Sequence, residues 1–172
     1  MRVGIAALTV LLAGPAVGQQ HQHQHGQSPY AGLQQRGVKA LSDQQISDLR
    51  TGKGMGLALA AELNGYPGPL HVLELADRLE LRAGQRVQLQ QLYDAMKAEA
   101  IPVGETLIAH ETALDRQFGE RTISPATLAS LTADIGRTQG ELRAVHLKYH
   151  LTTAALLTAA QNQKYGELRG YR

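Results

Sequence analysis

The chain has no cysteine and no tryptophan, and aromatic residues make up 4% of its 172 residues. Without cysteine there can be no disulfide, no thiolate metal site, no cysteine nucleophile and no acylated-cysteine anchor. The β-branched apolar residues are also scarce, with 14 Val and Ile against 26 Leu and 24 Ala. Strands are normally filled by the residue types missing here, so the balance excludes a sheet-rich fold and favours helices. Neither sign of charge prevails: 17 Lys and Arg face 15 Asp and Glu, for a formal net charge of +2. So small and interspersed a charge excludes an electrostatic footprint on nucleic acid. A chain of this length supports one compact domain.

One long apolar run is present, and it lies at the N-terminus. Met1-Arg2 gives a positive start, and Val3 to Gly14 is almost unbroken in its apolarity. Pro15 then precedes Ala16-Val17-Gly18, with small residues at the positions a signal peptidase inspects. The run is too short to cross a ~30 Å hydrocarbon core. The expectation is a cleavable signal over 1–18, cleavage after Gly18, export, and no membrane span in the mature chain. Loss of Arg2 with the signal lowers the net charge from +2 to +1. Residues 19–40 then read as a disordered His/Gln-rich leader, with His21, His23 and His25 at alternate positions. Flexible imidazoles of this kind can capture Zn, Ni or Cu weakly, or the segment can be a solvated spacer.

From residue 41 to 172 the pattern is that of a single all-α domain. Leu41-Ser42-Asp43-Gln44-Gln45 has the form of a capping box, with Leu41 and Ile46 placed for a hydrophobic staple. Glycines 52, 54 and 56 split the stretch after this box into helices over 43–51 and 55–63, and 64–69 is a turn. A short helix over about 70–79 leads into a long one over about 84–120, with an apolar stripe at 89, 93, 96, 100, 103, 107, 114 and 118. Pro102 should bend that helix without ending it, and Gly104 should ease the bend. A second long helix starts at Ser124 and Pro125. Leu128, Leu131, Ile135, Thr138, Leu142, Val145, Tyr149, Thr152 and Leu156 recur along it at alternating spacings of three and four. Such a seam predicts a long antiparallel helical hairpin, bent at Pro102 and flanked by short helices. Leu157-Thr158-Ala159-Ala160-Gln161 opens the last helix with another capping box.

Leu157, Thr158 and Gln161 together form an LTxxQ motif. Leu81 with Gln85, and Leu41 with Ser42 and Gln45, look like degenerate copies of it. Repeated LTxxQ on a small, exported helical chain resembles the Spy/CpxP family of bacterial periplasmic stress proteins, which includes zinc-resistance proteins and heavy-metal sensors. The resemblance covers roughly residues 70–169 and leaves 28–68 unexplained. The central copy departs from the pattern, because Arg82 stands where the family has Thr and cannot accept an N-cap hydrogen bond. What the resemblance implies is a periplasmic, non-enzymatic protein. It would form a cradle-like homodimer that binds unfolded or misfolded periplasmic clients as a chaperone, or reports stress to a membrane sensor partner. Arg86, Lys97, Arg116, Arg137, Arg143 and Lys148 would supply positive charge for steering clients.

The alternative is a periplasmic heavy-metal sensor or resistance protein. His146 and His150 lie four apart on one helix, so their imidazoles share a face and can form half of a Zn, Ni or Cu site. Taking the 121–124 turn as the pivot sets Val145 opposite Ala100 and brings Glu99 near His146, which would complete a His146/His150/Glu99 set. The bland reading makes the two histidines half-exposed neighbours of the seam. His110 falls on the apolar stripe and reads as a hydrogen-bonded core or interface histidine, while His71 has no evident partner. No required cofactor is indicated beyond such a divalent metal. Catalysis is not expected: no phosphate loop follows a strand, no nucleophile elbow or HExxH is present, and Gly52-Lys53-Gly54-Met55-Gly56 has the wrong spacing for a phosphate loop.

Overall fold

The computed structural model describes residues 28–171. The signal segment and His21, His23 and His25 lie outside the described residues. Ser28–Ala31 belongs to a separate unit, Met1–Ala31, and forms a turn closed by the Ala31 N–H on the Ser28 carbonyl. The larger unit starts at Gly32 and holds all of the helices found among the described residues.

Those helices are α1 (Asp43–Arg50), α2 (Leu59–Glu62), α3 (Pro69–Glu74), α4 (Ala83–Gly119), α5 (Pro125–Leu156) and α6 (Ala159–Leu168). The expected all-α hairpin is therefore present, built from α4 and α5. Its direction can be read from pairs of side chains that meet across it. Gln85 bonds to the Leu156 carbonyl, Glu99 to Lys148, and Thr138 to His110, so the two helices run antiparallel from end to end. α4 runs unbroken through Pro102. Pro102 and Ala98 are both exposed, so water can reach the Ala98 carbonyl that the proline leaves without a donor.

The helix starts follow their sequence signals. Ser42 and Gln45 form a reciprocal capping box on α1, as Thr158 and Gln161 do on α6, and Ser124 accepts from Thr127 N–H ahead of Pro125 on α5. α4 begins with half a box: the Gln85 amide oxygen accepts from Arg82 N–H at 3.1 Å, and the arginine offers no acceptor in return. The Gln85 amide nitrogen instead donates to the Leu156 carbonyl and to Gln161, both at 3.0 Å. Gln161 in turn donates to the Leu79 carbonyl at 3.3 Å. The two LTxxQ-like glutamines thus meet and tie the start of α4 to the α5–α6 joint.

Two expectations need correction, and Gly104 has a packing role besides. The 55–63 helix is shorter, since 55–58 are turns and only Leu59–Glu62 is helical; Met55 and Gly56 are left-handed there. Residues 32–40, assigned to the disordered leader, hold a 3-10 turn at Leu33–Gln35 and a bridge between Val38 and Leu41. Val38 is buried and Lys39 pairs with Asp115 at 3.3 Å, which anchors this stretch to the hairpin. Gly104 serves packing: a Cβ built on it would stand 2.8 Å from the Leu49 carbonyl oxygen, so its bareness lets α1 lie directly on α4.

The core has two parts. Val72, Leu79, Leu81, Leu89, Leu157 and Tyr165 pack together where α3, α4, α5 and α6 converge. Leu49, Ala100, Leu107, Ile108, Ile135 and Leu142 join α1 to the middle of the hairpin, with Leu41 and Ile46 packed against them. Between residues 109 and 134, the turn end of the hairpin, no residue is fully buried.

Candidate functional site

The segment 52–71 lies against one flank of α4 and α5, and this decides the fate of the histidines. His146 is 2% exposed and His150 9%, so both are buried in place of the half-exposed positions beside the seam that periodicity suggests. Gly54 approaches the His146 ring, with its ideal Cβ position 3.7 Å from Nδ1. Gly68 lies tighter on His150, its Cβ position only 2.7 Å from Nε2. Glycine at 68 is therefore what leaves room for the imidazole.

His71, His146 and His150 line one cavity of about 240 Å³, together with Met96, Tyr93 and Lys53. His150 places Nδ1 2.7 Å from the Tyr66 carbonyl, a contact that favours the tautomer with Nδ1–H donating and the Nε2 lone pair free. His146 Nε2 is buried with no hydrogen-bond partner. Burial, reinforced by the nearby His150, holds the His146 pKa below the ordinary imidazole value, so this ring is neutral at neutral pH. A buried, unpartnered imidazole nitrogen carries a desolvation cost that a bound partner would relieve.

The carboxylate beside these histidines is Glu62. It is 5% exposed and ends α2. Its Oε2 accepts from Gly68 N–H at 3.2 Å and lies 3.7 Å from His150 Nδ1. Oε1 accepts from the hydroxyls of Tyr165 and, at 3.2 Å, Tyr171. His71 Nδ1 lies 3.5 Å from Oε1, and Arg169 Nε lies 3.8 Å from it. Burial alone would raise the Glu62 pKa; the neighbouring His71, the Tyr165 hydroxyl and the Gly68 N–H outweigh it and hold the group at about 2. The same contact, with burial as the larger cause, drives the Tyr165 phenol far up.

Glu99, the carboxylate expected near His146, is elsewhere. The hairpin register brings it across from Lys148 and Tyr149, which hold it at 2.6 Å and 2.7 Å on the exposed edge. Lys148 and then Tyr149 lower its pKa; burial, followed by Glu99, pushes the Tyr149 phenol up to about 12. The expected His146/His150/Glu99 set is thus not assembled, because Glu99 and the two histidines occupy different flanks of the hairpin. Among the described residues no three His, Asp or Glu side chains stand together as a ready-made metal site. His110 is half-buried and its Nδ1 lies 3.3 Å from Thr138 Oγ1, the hydrogen-bonded histidine foreseen.

Glu62 and His71 are the site residues that periodicity missed. One signal was available: Glu62 interrupts the apolar stretch Leu57-Ala58-Leu59-Ala60-Ala61 immediately before the Asn64–Pro69 turn. A charge in that position must be solvated or paired, and here it is paired.

The fold and site define an all-α hairpin protein with short helices folded over one end. No helix among the described residues is long and apolar enough to cross a membrane. The chain matches no family model, no curated protein and no solved structure.

Proposed function

We propose that the chain is a non-enzymatic, periplasmic stress-response protein of the Spy/CpxP type, binding unfolded clients as a chaperone or adaptor, with a homodimer as the working form. The observation that carries this reading is the joint between Gln85 and Gln161: the two LTxxQ-like motifs act together in the fold, which supports treating them as one family signature. The surface for clients is the turn end of the hairpin, where Phe118 is 54% exposed and Leu128 38%. Nearby Arg116 adds positive charge, and such a mixed surface suits collapsed chains whose apolar segments are exposed. The test is aggregation of a reduced client with and without the mature protein at equimolar dimer; undiminished aggregation contradicts the reading.

A second reading, a metal-responsive member of the same type, is favoured by the unpartnered His146 Nε2 beside His150 and His71. These three imidazoles would hold a borderline divalent ion such as Zn, Ni or Cu, which would supply charge and a fixed geometry rather than chemistry. The backbone carbonyl on His150 Nδ1 is the outer contact that orients a ligating imidazole. Closing the set needs a side-chain rotation, for which His71, with a partly exposed ring, is placed. Calorimetry with each ion, on the intact protein and on His146→Ala/His150→Ala, decides it: identical isotherms contradict the reading.

A further inference from the structure

Between α1 and α5 runs a groove of about 490 Å³, away from both the turn end and the histidine cavity. Its floor is apolar, made by Leu41, Leu49, Leu57, Leu107 and Leu142, three of which belong to the buried core. Helical spacing sets its α5 wall: Gly136, Gln139, Gly140 and Arg143 stand at i, i+3, i+4 and i+7 and so share one face. Nothing among the described residues lies within 4 Å of a Cβ added at Gly136 or Gly140, in contrast to Gly104, whose bareness admits α1. Glycine destabilises a helix interior relative to alanine, and at these two positions no packing within the chain offsets that. Arg143 is the one charged side chain lining the groove, and it makes no ion pair among the described residues. The carboxylates near it in sequence are held by Arg137, Asp134 at 2.9 Å and Glu141 at 3.3 Å, while Asp48 of α1 pairs with Lys53 at 2.9 Å. Gln45 accepts from Ser42 N–H through Oε1, which leaves its amide nitrogen available as a donor.

We propose that this groove binds a single-chain amphiphile with a negative head, namely a free fatty carboxylate. The alkyl chain lies on the leucine floor and along the bare backbone at Gly136 and Gly140. Its carboxylate accepts from the Arg143 guanidinium, with the Gln45 and Gln139 amides as further donors. A cation with no carboxylate beside it selects a negative head and disfavours a positive one. The volume lies within the usual range of small-molecule sites, roughly 300–1,000 Å³, and suits one alkyl chain better than a partner helix about 10 Å across.

The test is calorimetry on the mature protein with sodium decanoate below its micellar concentration, set against octanoate and decyltrimethylammonium. Decanoate should bind about tenfold more tightly than octanoate, because two further methylenes leave water. It should also bind more tightly than decyltrimethylammonium, which has the same chain and the opposite head charge. Arg143→Gln should weaken decanoate about threefold and remove that preference. Gly136→Ala/Gly140→Ala puts two methyl groups into the groove and should weaken decanoate at least about fivefold, with a thermal midpoint that stays or rises. Loss of the site is thereby separated from loss of the fold. Equal affinity for decyltrimethylammonium, or unchanged decanoate affinity in the glycine double variant, overturns the proposal. Absence of decanoate heat overturns it too; if the same double variant then weakens self-association in light scattering, the groove belongs to a second copy of the chain.

Discussion

The two ends of the hairpin share one sequence pattern and differ in what covers it. At the end where α4 begins and α5 finishes, α3 and α6 close over the pair and bury Leu89 completely. At the turn end the same alternating spacing of three and four continues, yet no residue from 109 to 134 is fully buried. A heptad stripe therefore states which face is apolar but not whether anything covers it. Stability belongs to the covered end, and in this account binding of clients belongs to the bare one.

The largest contrast is expected from paired truncations. Leu89→Ala should cost about 2–5 kcal/mol by loss of a fully packed side chain, whereas Leu128→Ala should cost about 0.5 kcal/mol or less. Denaturant unfolding of the two variants measures both, and equal losses would break the comparison. Glu62 comes next. Its pKa is depressed in the folded protein, so its contribution is present above the ordinary carboxylate range and is lost as pH falls from about 5 towards 2. The depression from 4.5 to about 2 corresponds to roughly 3–4 kcal/mol. Glu62→Gln should therefore flatten acid unfolding over that window.

Gly104→Ala should cost about 1–3 kcal/mol, because the new methyl meets the backbone oxygen of Leu49 and α1 must move away. Gly136→Ala on α5, where no atom lies within 4 Å of the added carbon, should instead be neutral or gain up to about 1 kcal/mol. The smallest effect belongs to the turn itself: Arg121 is left-handed, with φ of 57°, so Arg121→Gly should raise stability by about 0.5–1 kcal/mol. Thermal unfolding of these three variants sharpens the map of where close packing ends.

Much of this fold was legible because it is local. Ser42/Gln45 and Thr158/Gln161 announce helix starts within five residues, and Pro125 marks the first turn of α5. The hairpin register was nearly legible too, since Glu99 meets Lys148, two residues from its expected neighbour His146. What one-dimensional periodicity could not give is the flank on which α1–α3 settle. That choice depends on Gly104 and Gly68, each bare so that a neighbour can approach. It buries His146 and His150, brings Glu62 and His71 to them, and leaves Glu99 outside. Tertiary contacts of this kind, made for the most part between residues far apart in the chain, leave no spacing signal.

The most direct test of the account measures suppression of aggregation of a reduced client by three proteins: the mature chain, Phe118→Gln/Leu128→Gln, and His146→Ala/His150→Ala. If the bare end carries client binding, the first and third suppress aggregation and the second does not. Retention of activity in Phe118→Gln/Leu128→Gln, or its loss only in the histidine variant, would contradict the division between the two ends.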